Sequence, residues 1–170
     1  FSVGSLGVAG AVMITASHNP PADNGFKVRT ATGAAVSPDG LIEIEADVAK
    51  VDGDEVKFLD MPAATEAGLW RVFSPDTAYL DHVSGLVDLG QIRERDMHVV
   101  VDAMFGSAAG WIPRLLDGGK LNVTEIHSDW NPRFPGLERP EPIPPQTDEV
   151  TAAVRHRSAA DDRLRTYARC

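Results

Sequence analysis

The segment MHVVVDAMFGSAAG, residues 97–110, has the pattern of a buried β-strand that ends in a tight turn of small residues. The apolar run within Met97–Asp102 favours a strand, and a helix is predicted after the turn, at Ala109–Leu116. NVTEIH, residues 122–127, has the pattern of the next strand. Strand, helix and strand in this order predict a β-α-β unit, the building block of a parallel sheet covered by helices.

The N-terminal third also predicts α/β elements. A buried strand is predicted at Val8–Thr15, and after an Asn-Gly turn a second strand at Phe26–Thr30. A helix follows, with Ser37 as its N-cap and Pro38 at its first position. The sequence therefore predicts the α/β class for both ends of the chain.

The segments between these elements set the expected domain organisation. Periodicity fades from Val51 to Arg71, which predicts a linker, and Ser74-Pro75 opens a capped helix. A proline-rich loop spans residues 131–145, and another helix starts near Thr147. We predict the end of one α/β domain at 1–50, a linker at 51–72 and part of a second domain at 73–170.

Composition excludes several classes of function. The chain has 170 residues with 16 basic and 25 acidic side chains, a formal charge of −9. Since there is no cluster of Lys and Arg, we expect neither nucleic acid nor membrane as a partner. The single cysteine, Cys170, excludes an internal disulfide and fits a reducing, cytoplasmic compartment. The chain opens at Phe1 rather than methionine, so we expect a fragment with sequence missing upstream.

The loop ITASHNPPADNGFK, residues 14–27, is longer than a chain reversal requires and carries reactive side chains. Ser17 follows a strand, and open α/β sheets bind ligands where their strands end. The turn at Asn24-Gly25, with positive φ allowed by these residues, is expected to bring Lys27 back towards Ser17. Serine, histidine and lysine side chains together suit transfer of a charged group.

Two other interpretations of Ser17 compete with this one. A serine hydrolase would need His18 to activate Ser17, but adjacent residues of an extended segment point to opposite sides. The G-x-S-x-G motif of the α/β-hydrolases is also absent. Ser17 as a capping serine in a structural loop stays open as the simpler alternative.

TASHNPPADNGFKV, residues 15–28, resembles the active-site serine loop of the α-D-phosphohexomutases, the phosphoglucomutase/phosphomannomutase superfamily. VVVDAMFGSAAG (99–110) and ERPEPIPP (138–145) are similar to segments of that family's second domain. The resemblance covers about residues 3–154 and is looser in the linker. It implies three-layer α/β/α domains with mixed or mostly parallel sheets, present here only in part.

The resemblance implies a reversible mutase that moves phosphate between C1 and C6 of an aldohexose such as glucose or mannose. In such enzymes the loop serine carries a phosphoryl group and exchanges it with the sugar through a bisphosphorylated intermediate. Ser17 matches that serine, Lys27 matches a proton-transfer lysine, and His18 and Asn19 match the positions beside the serine. We therefore expect hexose phosphates as substrates, with Asn19 and Lys27 among the residues that bind them.

Mg²⁺ is the cofactor that the resemblance implies, with glucose 1,6-bisphosphate as the activating phosphoryl donor. Phosphoserine carries nearly two negative charges, so a phosphoryl group on Ser17 is expected to be one ligand of the metal. The family's D-G-D-x-D-R metal loop has no match in this chain. DDR at 161–163 and DGD at 52–54 lack its spacing, and a charged tail and an acidic turn are the simpler interpretations.

A truncated, non-catalytic remnant with at most weak binding of phosphosugars stays open as the alternative to a working mutase. We expect the 170-residue chain alone to be inactive, because the metal loop and the sugar-recognition loop are absent from it. The sequence does not distinguish glucose, mannose and glucosamine as substrates, and it gives no oligomeric state. His127, which follows a strand, is expected to be a hydrogen-bonded residue of the sheet edge rather than a ligand.

Overall fold

The computed structural model describes residues 1–160, apart from the side chains of Glu55 and residues 157–160. The acidic DDR segment at 161–163 and Cys170 lie outside the described residues. The helices and strands in chain order are α1 (Ser2–Leu6), β1 (Ala11–Ile14), β2 (Phe26–Arg29), α2 (Pro38–Val48), α3 (Met61–Glu66), α4 (Asp76–Leu86), α5 (Leu89–Arg93), β3 (His98–Asp102), α6 (Trp111–Leu116), β4 (Asn122–Ile126) and α7 (Asp148–Ala160).

Strands β3 and β4 form the predicted β-α-β unit. They pair in parallel, in a register that runs from His98 opposite Asn122 to Asp102 opposite Ile126. Helix α6 connects them and packs against β4, and α7 packs against β3. The α/β class is confirmed, because a parallel pair requires a crossover and the crossover here is a helix.

The chain divides into two compact units. The first contains Phe1–Met13 and Phe26–Tyr79, and the second contains Ile14–Gly25 together with the chain from Leu80 onwards. The boundaries 1–50, 51–72 and 73–170 stay a prediction, because a division into compact units does not define domains.

In the first unit, the predicted start of α2 is confirmed. The Gly40 N–H donates to Ser37 Oγ at 3.2 Å, and Pro38 begins the helix. A serine at this position satisfies an amide that the first turn leaves without a helical partner, and proline has no amide to satisfy.

The predicted buried strand at Val8–Thr15 is wrong in length and in burial. The strand covers Ala11–Ile14, and its side chains are exposed, Val12 by 53% and Ile14 by 61%. The physical reason is that β1 pairs with β2 in a two-stranded sheet, so within residues 1–160 no larger sheet flanks it.

The segment 51–71 is not an irregular linker throughout. It contains a 3₁₀ turn at Gly53–Glu55 and helix α3, which Asp60 caps by accepting from the Ala63 N–H at 2.8 Å. Pro62, which favoured a break in the chain, lies in the first turn of α3, where proline is tolerated.

In the second unit, Ala103 and Leu121 are the buried apolar residues, with 8% and 7% of their surfaces exposed, and Gln146 is buried at 5%. Helix α6 begins at Trp111, two residues later than predicted, after Gly110 with a φ of 79°. The short α5, capped by Asp88, was not predicted. Residues 131–145 form a loop, as expected, and within residues 1–160 no helix is long and apolar enough to cross a membrane.

Candidate active site

The serine loop, residues 15–25, is closed at its base by backbone contacts. The Thr15 N–H donates to the Gly25 carbonyl at 2.9 Å, and Asn24 Oδ1 accepts from the Gly25 N–H at 2.8 Å. A Cβ atom on Gly25 would overlap the carbonyl oxygen of Thr15. Glycine is therefore required for close approach of the two loop ends. The expectation of positive φ at Asn24-Gly25 is wrong, since neither residue has it.

Ser17 occupies a tight turn within this loop. Its φ is +59°, in the left-handed region, and its N–H donates to Thr15 Oγ1 at 2.9 Å. The next amide but one, from Asn19, donates to the Ala16 carbonyl at 3.1 Å. The backbone around Ser17 is therefore a folded turn rather than an extended segment.

This turn brings the side chains of Ser17 and His18 together. Ser17 Oγ lies 3.2 Å from His18 Nδ1, within hydrogen-bond distance, and the tautomer of the ring decides which atom donates. The expectation that neighbours on an extended segment point apart is therefore wrong. Its premise fails, because a left-handed residue reverses the local direction of the chain.

The other ring nitrogen of His18 faces a carboxylate from the proline-rich loop. His18 Nε2 lies 4.0 Å from Glu141 Oε1, and Glu141 Oε2 lies 3.5 Å from Arg139 Nε. The serine loop and residues 139–141 belong to the same compact unit. The sequence did not single out Glu141, since nothing in a spacing of more than a hundred residues links it to His18.

The other predicted site residues are placed as follows. Asn19 follows His18 in the serine loop and is exposed. Lys27 lies exposed on β2, which belongs to the first compact unit. The structure thus brings Ser17, His18 and Asn19 together, and the expected approach of Lys27 to Ser17 stays a prediction.

A second polar cluster, the carboxylate–histidine bridge of Asp102, His127 and Glu149, lies where β3 and β4 end. His127 Nδ1 is 2.8 Å from Asp102 Oδ1, and His127 Nε2 is 3.1 Å from Glu149 Oε2. The side chains of His127 and Asp102 are 12% and 6% exposed. His127 is therefore a hydrogen-bonded residue of the sheet edge, as predicted.

The described residues do not supply a metal site of their own. Across residues 1–160, no group of three or more His, Cys, Asp or Glu side chains has a geometry that could hold a metal ion. A magnesium ion would have to take its protein ligands from outside these residues.

Comparison with known proteins gives matches along most of the chain. The family "Phosphoglucomutase/phosphomannomutase, alpha/beta/alpha domain I" matches residues 1–55, and its "alpha/beta/alpha domain II" matches residues 77–161. A relative from Methanopyrus kandleri, named "Probable phosphoglucosamine mutase", is 35% identical over 153 residues, 90% of this chain and 32% of its own. "Phosphoglucomutase" of Staphylococcus aureus strain RF122 is 27% identical over 167 residues, 95% of this chain and 30% of its own.

A solved structure shows the same similarity in three dimensions. A crystal structure from Thermus thermophilus, described as a phosphomannomutase, superposes with a TM-score of 0.75 at 30% identity. The match covers 91% of this chain and 33% of that one. The chain thus spans about a third of the length of the proteins that it matches.

Proposed function

Because the chain belongs to the phosphoglucomutase/phosphomannomutase family, we propose that its serine loop carries the phosphoryl group of a hexose-phosphate mutase. The observation that carries the proposal is the exposed Ser17 hydroxyl, held on a closed loop with its Oγ 3.2 Å from His18 Nδ1. Phosphoryl transfer depends mainly on positioning and electrostatics, and a loop closed at its base supplies positioning.

The proposed reaction of the complete enzyme interconverts a hexose 1-phosphate and a hexose 6-phosphate. A bond forms between Ser17 Oγ and phosphorus while the bond from phosphorus to a sugar oxygen breaks. The proton of the Ser17 hydroxyl passes to His18 Nδ1, and the released sugar oxygen takes up a proton. Lys27 is proposed as a second proton-transfer and binding group, and Asn19 as a binding group, on the strength of their family positions.

The names of the relatives point to glucose, mannose or glucosamine phosphates as the substrate class. Glucose 1,6-bisphosphate is proposed as the donor that loads Ser17. Magnesium is proposed as a cofactor of the complete enzyme, where it would offset the charge of the phosphoryl group. A cytoplasmic location completes the proposal, since hexose phosphates are intracellular metabolites and the sequence has one cysteine.

Mass spectrometry of the chain purified without phosphatase treatment tests the proposal. Samples are incubated with and without glucose 1,6-bisphosphate, and the phosphorylated residue is located by peptide fragmentation. We expect phosphate on Ser17, none on that peptide in Ser17→Ala, and a reduced amount in His18→Ala. A folded chain with Ser17 unmodified after incubation would favour the non-catalytic remnant.

A fluorophosphonate probe separates a mutase from a serine hydrolase, which the contact between Ser17 and His18 makes worth testing. Hydrolases of this kind also need an oxyanion hole to stabilise the acyl intermediate. We expect no labelling of Ser17. Labelling at Ser17 that is lost in His18→Ala would support a hydrolase instead.

A further inference from the structure

We propose that Glu141 is a positioning residue for His18, an inference that rests on the proposed role of Ser17 as phosphoryl acceptor. The proline-rich loop that carries Glu141 is distant from Ser17 in sequence, and the fold brings it to the ring of His18. The carboxylate selects the orientation and the tautomer in which the imidazole accepts the proton of Ser17.

The two nitrogens of the His18 ring face different kinds of partner. Nδ1 is 3.2 Å from the Ser17 hydroxyl, and Nε2 is 4.0 Å from a Glu141 carboxylate oxygen. A neutral imidazole has one N–H donor and one acceptor nitrogen, whereas a carboxylate only accepts. The negative charge at Nε2 therefore favours the hydrogen on that atom, which leaves Nδ1 free to accept from Ser17 Oγ.

Glu141 is itself held in place from two directions. Its N–H donates to the Arg139 carbonyl at 2.9 Å, and its carbonyl accepts from the Ile143 N–H at 2.8 Å. Its second carboxylate oxygen pairs with Arg139 Nε at 3.5 Å, an atom that is buried and makes no hydrogen bond. The Glu141 side chain is 27% exposed against 55% for His18, so the better-anchored group orients the more mobile one.

A matched control is available in the same loop. Glu138 is an exposed glutamate three residues before Glu141, and within residues 1–160 it has no hydrogen bond or ion pair. Glu138→Ala removes the same charge from the same loop and leaves the contact to His18 intact. A general effect of the loop's charge would appear in both variants, whereas positioning of His18 would be lost only at Glu141.

Nuclear magnetic resonance of the full chain tests the contact directly and does not depend on phosphorylation. Ring nitrogen shifts of His18, recorded at about pH 8.5 where a histidine is neutral, report which nitrogen carries the hydrogen. We expect the Nε2–H form and cross-peaks between the His18 ring and the Glu141 side chain in wild type and in Glu138→Ala. In Glu141→Ala we expect the tautomer balance to move towards that of a free histidine.

A double-mutant cycle tests the functional consequence. Glu141→Ala is expected to slow phosphorylation of Ser17 by glucose 1,6-bisphosphate about two- to fivefold, the range expected for an exposed charge pair. In a His18→Ala background the same change should have no further effect, because its target is gone. Glu141→Gln, which keeps an acceptor oxygen without the charge, should recover part of the rate.

Three results would overturn the proposal. They are a wild-type His18 ring without contacts to Glu141, a tautomer balance that Glu141→Ala leaves unchanged, and a rate loss of equal size with and without His18. If wild-type Ser17 is never phosphorylated, the proposed function fails, and the ring spectra alone then decide the role of Glu141.

Discussion

Ser17 has a left-handed backbone conformation, with a φ of 59°, and so do Met104, Phe105 and His127 where β3 and β4 end. A residue other than glycine in this conformation costs roughly 1–2 kcal/mol, so surrounding contacts must hold it. At Ser17 those contacts are the loop's own backbone and Thr15 hydrogen bonds, and at His127 they are two carboxylates. Both polar clusters thus contain a conformationally strained residue that is held by defined hydrogen bonds.

Gly25→Ala is expected to open the serine loop, because a methyl group would overlap the Thr15 carbonyl oxygen. Overpacking of this kind costs about 1–3 kcal/mol, most of which would be relieved by separating the loop ends. Cleavage of residues 15–25 by thermolysin, followed by mass spectrometry, should accelerate at least about fivefold.

Gly53→Ala is the matched control, since a Cβ atom there meets nothing within 4 Å. Its cleavage rate in the serine loop should equal that of wild type. An unchanged rate in Gly25→Ala would show that the loop ends do not approach as closely as described.

His127→Ala is expected to destabilise the edge of the β3–β4 sheet. It leaves the Asp102 carboxylate, 6% exposed, with the Met104 N–H as its remaining hydrogen-bond donor. Removing one partner of a buried pair costs about 3–5 kcal/mol. Hydrogen exchange of the β3 amides should accelerate accordingly.

Glu149→Gln is the comparison for His127→Ala, because the Glu149 side chain is 67% exposed. Loss of an exposed charge costs about 1 kcal/mol or less. Equal effects of the two substitutions would mean that Asp102 does not depend on His127.

At the level of elements, helix ends were predicted where a side chain caps them and missed where a helix is short. Ser37 with Pro38 marked the start of α2, and the structure has the cap. Helix α5 has five residues and no apolar period, and it depends on Asp88 as cap and on packing against α6. Short helices of this kind are stabilised by tertiary contacts rather than by propensity.

Ser37→Ala is expected to destabilise α2 by about 1 kcal/mol, because the Gly40 N–H loses its acceptor. Ser37→Asp, which keeps an acceptor, should retain the stability of wild type. Hydrogen exchange of the first-turn amides of α2 measures both. An alanine variant that exchanges like the aspartate variant would contradict the role of the cap.

At the level of the whole molecule, much of the apolar surface is uncovered. Within residues 1–160 the buried apolar residues are Val3, Ala103 and Leu121. Large apolar side chains are exposed across both compact units, among them Phe58 at 88%, Val72 at 84%, Leu69 at 76%, Leu86 at 71% and Phe26 at 67%. Apolar surface on this scale favours association.

The 170-residue chain alone is therefore expected to self-associate, to bind a hydrophobic dye strongly and to have no mutase turnover. Sedimentation velocity, dye fluorescence and a coupled assay with glucose 1-phosphate measure the three properties. Phe58→Lys with Val72→Lys should reduce association. A monomeric chain with robust turnover would contradict the expectation.

Local sequence alone determined the α/β class, the parallel β-α-β unit, the cap of α2 and the identity of the serine loop. These follow from short-range rules: strand and helix periods, caps, turns and a motif that is continuous in the chain. Tertiary structure decided the left-handed turn at Ser17, the contact of His18 with Glu141 and the carboxylate–histidine bridge. It also decided which strands are covered. The physical reason is that these features join residues far apart in the chain or depend on what packs around a segment, and local sequence patterns carry no information about either.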